Sequence, residues 1–137
     1  MNINFKYHKY NLGKNPSLHL KKLLLFMKRK KIIRILDFGC GNGRNSFFFK
    51  NKGFNVSAID SKKIITKYKN YFMEMNIPLK PYSANTIKTP FKSNLFGCII
   101  AWRVLHRGLK KYRQKLIKEL YRILKKDGYF ILYHEKR

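Results

Sequence analysis

Ile35-Leu36-Asp37-Phe38-Gly39-Cys40-Gly41-Asn42-Gly43 decides the fold of this 137-residue chain. An aliphatic run of strand character meets three glycines at alternate positions. Residues 45–52, with Phe47, Phe48 and Phe49, then read as a helix that Gly53 stops. Strand, glycine turn and helix in that order open a β-α-β unit. A second run, Val56-Ser57-Ala58-Ile59-Asp60, closes in an acid about twenty residues after Asp37, the spacing such a unit gives its glycine turn and a following acid. The chain has three aspartates, so two of the three end or adjoin these runs.

The rest of the chain repeats the alternation. Upstream, residues 1–15 are a polar and aromatic lead-in, and Pro16 opens a helix. Leu18, Leu20, Leu23, Leu24 and Met27 line one side of that helix as a cover over the core. Strands are expected at 32–38, 54–59, 79–83, 95–101 and 129–134, the third weakened by Pro81. Ser61 caps a helix that buries Ile64, Ile65, Tyr68, Tyr71 and Phe72 and stops before Pro78. A longer helix over 109–125 turns Tyr112, Leu116, Leu120, Ile123 and Leu124 inward, and Asp127-Gly128 turns into the last strand. The fold class is therefore α/β: one domain over 1–137, with a lead-in and cover helix over 1–31 and a core over 32–137. Its Rossmann-like parallel sheet has five strands in the order 3-2-1-4-5, helices on both faces and right-handed crossovers.

Composition narrows the setting. The apolar content is that of a globular protein. No apolar run reaches the ~18 residues of a membrane span, and no secretory signal is evident. Cys40 and Cys98 are isolated, without metal-ligand spacing, which fits a reducing, cytoplasmic setting. The net charge of +26 suits contact with a polyanion such as RNA. The abundance of Lys, Asn, Ile, Phe and Tyr is equally what an AT-rich genome encodes, and the basic residues are spread throughout, with no arginine-rich block and no lone basic tail.

Glycines 39, 41 and 43 leave room for a ligand at a helix N-terminus. A dinucleotide loop of the form G-x-G-x-x-G fits poorly: Arg44 stands at its last position, or Ser46 if the frame moves to Gly41. An acid two residues before the first glycine suits a ligand with an amino group and a sulfonium and no phosphate.

Residues 37–43 resemble the first motif of class I S-adenosylmethionine-dependent methyltransferases. Residues 41–46, Gly-Asn-Gly-Arg-Asn-Ser, resemble most the small-molecule branch that includes tellurite-resistance-type enzymes. Further motifs follow in order: Thr89-Pro90-Phe91, residues 95–100, Leu105-His106, and Arg122-x-Leu124-Lys125-x-x-Gly128. The resemblance implies S-adenosyl-L-methionine as cofactor. Asp60 would take the ribose hydroxyls with Ser61 beside it, Asp37 the methionine amino end, and Gly39, Cys40, Gly41 and Gly43 the backbone contacts. Ala84 and Asn85 would meet adenine, and Trp102 would wall the pocket. His106 is the one candidate general base, and a structural role is the commoner fate of such a histidine. A small-molecule acceptor is expected, with RNA as the alternative. A cofactor- or RNA-binding module without turnover, and a dinucleotide-dependent oxidoreductase, are the competing classes. Gly97 stands where the family carries an aspartate, and the chain stops at strand five where the family adds two more strands. That leaves an apolar edge through which a homodimer could pair.

Overall fold

The computed structural model describes residues 18–82, 87–102 and 110–133. Its elements are α1 (Leu18–Arg29), β1 (Arg34–Phe38), α2 (Arg44–Asn51), β2 (Asn55–Asp60), α3 (Lys62–Glu74), β3 (Leu79–Pro81), β4 (Phe96–Trp102), α4 (Lys110–Ile123) and β5 (Leu124–Tyr133). The five strands form one sheet in the order β3-β2-β1-β4-β5, and every pairing is parallel. The expected architecture is thus the observed one.

Period-two alternation splits the core into two layers. Ile35, Val56, Ala58, Cys98 and Ile100 face α1, α2 and α3, which contribute Met27, Phe47, Phe49 and Phe72. Leu36, Phe38, Ile59, Ile99 and Ala101 face α4, which contributes Leu116, Leu120 and Ile123. Each buried Val, Leu, Ile, Phe or Met among these side chains stabilises by roughly 1.5–3 kcal/mol. Both layers are filled, which is why β1 and β4 read as continuous apolar runs.

The three helices of the first layer end in the same way. Their C′ residues are left-handed: Lys31 (φ 56°), Gly53 (φ 94°) and Asn76 (φ 54°). In each case the C′ amide and its successor donate back into the last turn, as Lys31 N does to Lys28 O and Ile32 N to Met27 O. This closure ties Ile32 back to α1, so β1 starts at Arg34 and not at residue 32, with Ile33 leading in and its carbonyl accepting from Asn55 N at 2.9 Å. Pro81 sits on the outermost strand, paired opposite Asp60, where its missing N–H is tolerated.

The α4–β5 junction departs most from expectation. The helix ends at Ile123, short of 125, and the strand begins at once with Leu124 opposite Phe96. The next pair is Cys98 with Tyr129, so the four residues 125–128 of β5 bulge against Gly97 alone. Gly128 is required there, because a Cβ would lie 2.7 Å from Leu124 Cδ1 and 3.0 Å from the Lys125 carbonyl oxygen. Gly97 has no such constraint: a Cβ would meet Ile32 Cγ2 at 3.4 Å, and β4 continues through it although its pairing with β5 is interrupted there.

Candidate functional site

The glycine turn lies at the carboxyl ends of β1 and β2, where an open α/β sheet leaves a crevice. Gly39, Gly41 and Gly43 have φ of 74°, 55° and 91°, values that disfavour any residue with a Cβ. Gly39 N and Cys40 N both donate to Ile59 O, at 2.9 and 3.3 Å, which ties the turn to β2. A Cβ at Gly41 would meet nothing within 4 Å, so this part of the turn faces open space. Gly43 differs, because a Cβ there would stand 2.7 Å from Phe47 Cζ and 3.0 Å from Phe72 Cζ. It allows α2 to pack closely, the service that Arg44 could not supply.

Asp60 closes β2 against this turn. Its Oδ2 accepts from Gly41 N at 2.8 Å and its Oδ1 from Ser61 N at 2.7 Å. Each carboxylate oxygen keeps a further lone pair, so two more donors can be taken without breaking either bond. Ser61 also caps α3, accepting from Ile64 N at 3.5 Å.

Asp37 lies beneath, only 1% exposed. Its Oδ2 accepts from Ser46 Oγ at 2.6 Å. Its Oδ1 and the Oδ1 of Asn45 are buried with no hydrogen-bond partner among the described residues. Unpaired buried oxygens are rare and call for an explanation, a bound polar group among them. Burial raises the Asp37 pKa to about 6; the Ser46 hydrogen bond opposes the rise and the charge of Asp60 adds to it. Burial, with Asp37 and Asp60 nearby, also pushes the Cys40 thiol upward, and burial takes Cys98 to about 12, so neither is a poised nucleophile. Two carboxylates beside open backbone suit a cationic ligand that carries hydroxyl groups, and the residues present fit S-adenosylmethionine in that respect.

Asp37, Gly39, Cys40, Gly41, Gly43, Asp60 and Ser61 are therefore gathered at one end of the sheet. Ala84, Asn85 and His106 lie outside the described residues. Trp102 ends β4, with its backbone opposite Tyr133. Among the described residues no cluster of His, Cys, Asp or Glu could hold a metal ion, and no helix is long and apolar enough to cross a membrane.

Sequence reading passed over three features of this region. Ser46 entered as a misfit to a dinucleotide motif and as the last residue of the 41–46 likeness, with no role assigned, yet it is the Asp37 partner. Tyr82 follows β3, stacks edge-on to Phe38 at 5.1 Å, and its hydroxyl lies 2.9 Å from that of Tyr112. Glu119, on α4, accepts from Thr89 N (2.6 Å), Thr89 Oγ1 (2.8 Å), and Arg122 Nε (2.6 Å) and Nη2 (2.8 Å). Arg122 Nη2 also donates to Phe91 O at 2.9 Å, so the pair clamps the loop over residues 89–91 onto the helix. The Arg122 guanidinium and the Thr89 donors hold Glu119 at about 2, well below the usual carboxylate range. The available signal was scarcity: a glutamate three residues before an arginine on one helix face, in a chain with six acids in all.

Comparison with known proteins gives this geometry its context. The chain is 30% identical over 98 residues to the uncharacterized methyltransferase YodH of Bacillus subtilis (strain 168), covering 71% of this chain and 41% of YodH. It is 38% identical over 96 residues to the uncharacterized protein R889 of Acanthamoeba polyphaga mimivirus, covering 64% of this chain and 77% of R889. The crystal structure of PH0226 from Pyrococcus horikoshii OT3 superposes with a TM-score of 0.70 at 26% identity, over 93% of this chain and 64% of that one. The chain thus spans less than two thirds of YodH and of PH0226. The methyltransferase domain model matches residues 36–132, from β1 with its glycine turn to the penultimate residue of β5, and by that match the chain belongs to the methyltransferase domain family.

Proposed function

We propose that the chain binds S-adenosylmethionine at the carboxyl ends of β1 and β2 and transfers its methyl group to a small-molecule acceptor. The observation that carries this reading is the Asp60 carboxylate, fixed by the Gly41 and Ser61 amides beside a left-handed glycine turn. The bound cofactor would supply a methyl group already activated by its sulfonium. The protein's own part is to bind and orient. Asp60 takes the ribose hydroxyls on its free lone pairs, and its charge offsets the repulsion that a +26 chain exerts on a cationic ligand. Ionised Asp37 favours the amino end. Asn85, Ala84 and Trp102 are proposed around the adenine and the pocket wall, and His106 as the base for an acceptor that must lose a proton.

A small-molecule acceptor is supported by the likeness of residues 41–46 to that branch of the family. The net charge favours RNA as the second reading. The two cysteines, free and buried, are consistent with a cytosolic location, which we also infer, together with homodimer pairing along the β5 edge.

Isothermal titration of S-adenosylmethionine and S-adenosylhomocysteine tests the cofactor. Wild-type binding should weaken about tenfold to a hundredfold in Asp60→Ala, the loss expected for hydrogen bonds to a charged group worth ~1.5–3 kcal/mol. No heat from a folded wild-type protein would sink the proposal. A methylation screen against small thiols, small amines and RNA then decides the acceptor class.

A further inference from the structure

A cleft of about 480 Å³ opens at the amino ends of β1, β4 and β5, the end of the sheet away from the glycine turn. Its rim carries Lys30 and Lys31 from the exit of α1, and Lys125 and Lys126 from the β5 bulge. Ile32, Ile33 and Tyr129 supply apolar surface between them. Along β1, the six steps from Ile33 to Gly39 correspond to about 20 Å of extended chain, so the cleft and the cofactor site are separate.

Three observations make this cleft more than a share of a basic surface. First, charge is only about half compensated. Asp127 is the one carboxylate on the rim, and none of the four lysines has a salt-bridge partner among the described residues. The ends of α1 and α4 add roughly −0.5 each, so about two negative charges face four positive ones. Gly97 on the opposing strand contributes none.

Second, the chain concentrates this charge at a conformational cost. The C′ positions of α2 and α3 hold Gly53 and Asn76, which enter the left-handed region cheaply. The same position after α1 holds Lys31 at φ 56°. Third, the bulge that presents Lys125 and Lys126 inserts four residues opposite one, and Gly128 must lack a side chain for it to close.

We infer that this cleft is a docking site for nucleic acid, held through its backbone phosphates by Lys30, Lys31, Lys125 and Lys126. A single phosphate is gripped best by an arginine fork or a nest of amides. Four exposed ammonium groups on flexible stems, with no arginine among them, suit a chain of phosphates whose counterions they displace. Docking here leaves the cofactor end free, so it is independent of which acceptor receives the methyl group.

The test is fluorescence anisotropy with a short single-stranded RNA across a salt series. One variant replaces Lys30, Lys31, Lys125 and Lys126 with Gln; a control replaces Lys62, Lys63, Lys67 and Lys69 on α3, removing the same charge from another face. The cleft variant should bind roughly tenfold more weakly or worse, and the slope of log K against log salt should fall by about 3. The control should change little, and titration with S-adenosylhomocysteine should give the same result for both variants as for wild type. In the wild-type protein, RNA should shield those four lysines from acetylation, read by mass spectrometry, which needs no variant to fold. Equal losses in both variants, or acetylation shielded evenly over the surface, would show that net charge alone attracts RNA and would overturn the site. Inorganic pyrophosphate that saturates the cleft as tightly as RNA would overturn the nucleic-acid reading in favour of a small phosphorylated ligand.

Discussion

Asp37 is costly where it stands. The folded state holds its proton up to about pH 6, whereas the unfolded chain releases it near 3.8. Between those values the folded state binds more protons, so stability from this group declines as pH rises, by about 3 kcal/mol once pH 6 is passed. Asp37→Asn keeps an acceptor for Ser46 and removes the charge. It should therefore unfold at equal or higher urea concentration than wild type at pH 7, lose the decline between pH 4 and 6, and bind S-adenosylmethionine more weakly. A variant less stable than wild type at pH 7 would mean the carboxylate is compensated in the fold. The place of Asp37 and Asp60 was legible in sequence because each adjoins or ends an apolar run. The partnership with Ser46 was not, since nine residues and a glycine turn separate the two, and only the close approach of α2 allowed by Gly43 brings them to 2.6 Å.

Among elements, α4 is tied to the loop over residues 89–91 by polar contacts as well as by its apolar face. Glu119 is 9% exposed while Arg122 is about a third exposed, so the arginine can be rehydrated when its partner is lost. Glu119→Ala should then cost about 2–3 kcal/mol, under the 3–5 of a fully buried pair, with the orphaned Thr89 amide part of the loss. The sign with pH is opposite to that of Asp37: the Glu119 contribution is complete above its ordinary value of 4.5 and disappears as pH falls toward 2. Urea unfolding at pH 3 and pH 7 checks this, because the variant should lose less on acidification than wild type. Strands and helices were legible from periodicity, and the alternation with right-handed crossovers gave a parallel sheet; the order 3-2-1-4-5 came from the Rossmann-like likeness, because crossover handedness alone also allows 2-1-3-4-5. The α4–β5 bulge was not. Asp127-Gly128 reads locally as a turn after a longer helix, and only the pairing of Leu124 with Phe96 ends the helix at Ile123.

For the molecule as a whole, the sheet edge and the net charge act against each other. Among the described residues β5 pairs with β4 alone, and its outer backbone groups are available for another strand. Phe130 is 37% exposed on that strand, and a two-fold axis would set two such edges antiparallel. Every copy brings +26, however, and Lys125 and Lys126 open the same strand. At about 0.01 M salt the screening length is roughly 30 Å, comparable to a domain, and repulsion acts over the whole pair. At about 0.1 M it falls to roughly 10 Å and leaves the edge contacts to decide. Sedimentation equilibrium should therefore show monomer at low salt and a growing dimer fraction as salt rises, with Phe130→Lys monomeric throughout and unchanged in its circular dichroism. The direction of the salt effect is the diagnostic part, because pairing driven by opposite charges would weaken with salt. A wild-type protein that stays monomeric at high concentration in both salts would remove the β5 edge as an interface, and the lysines at its start would then be the feature that keeps the edge unpaired.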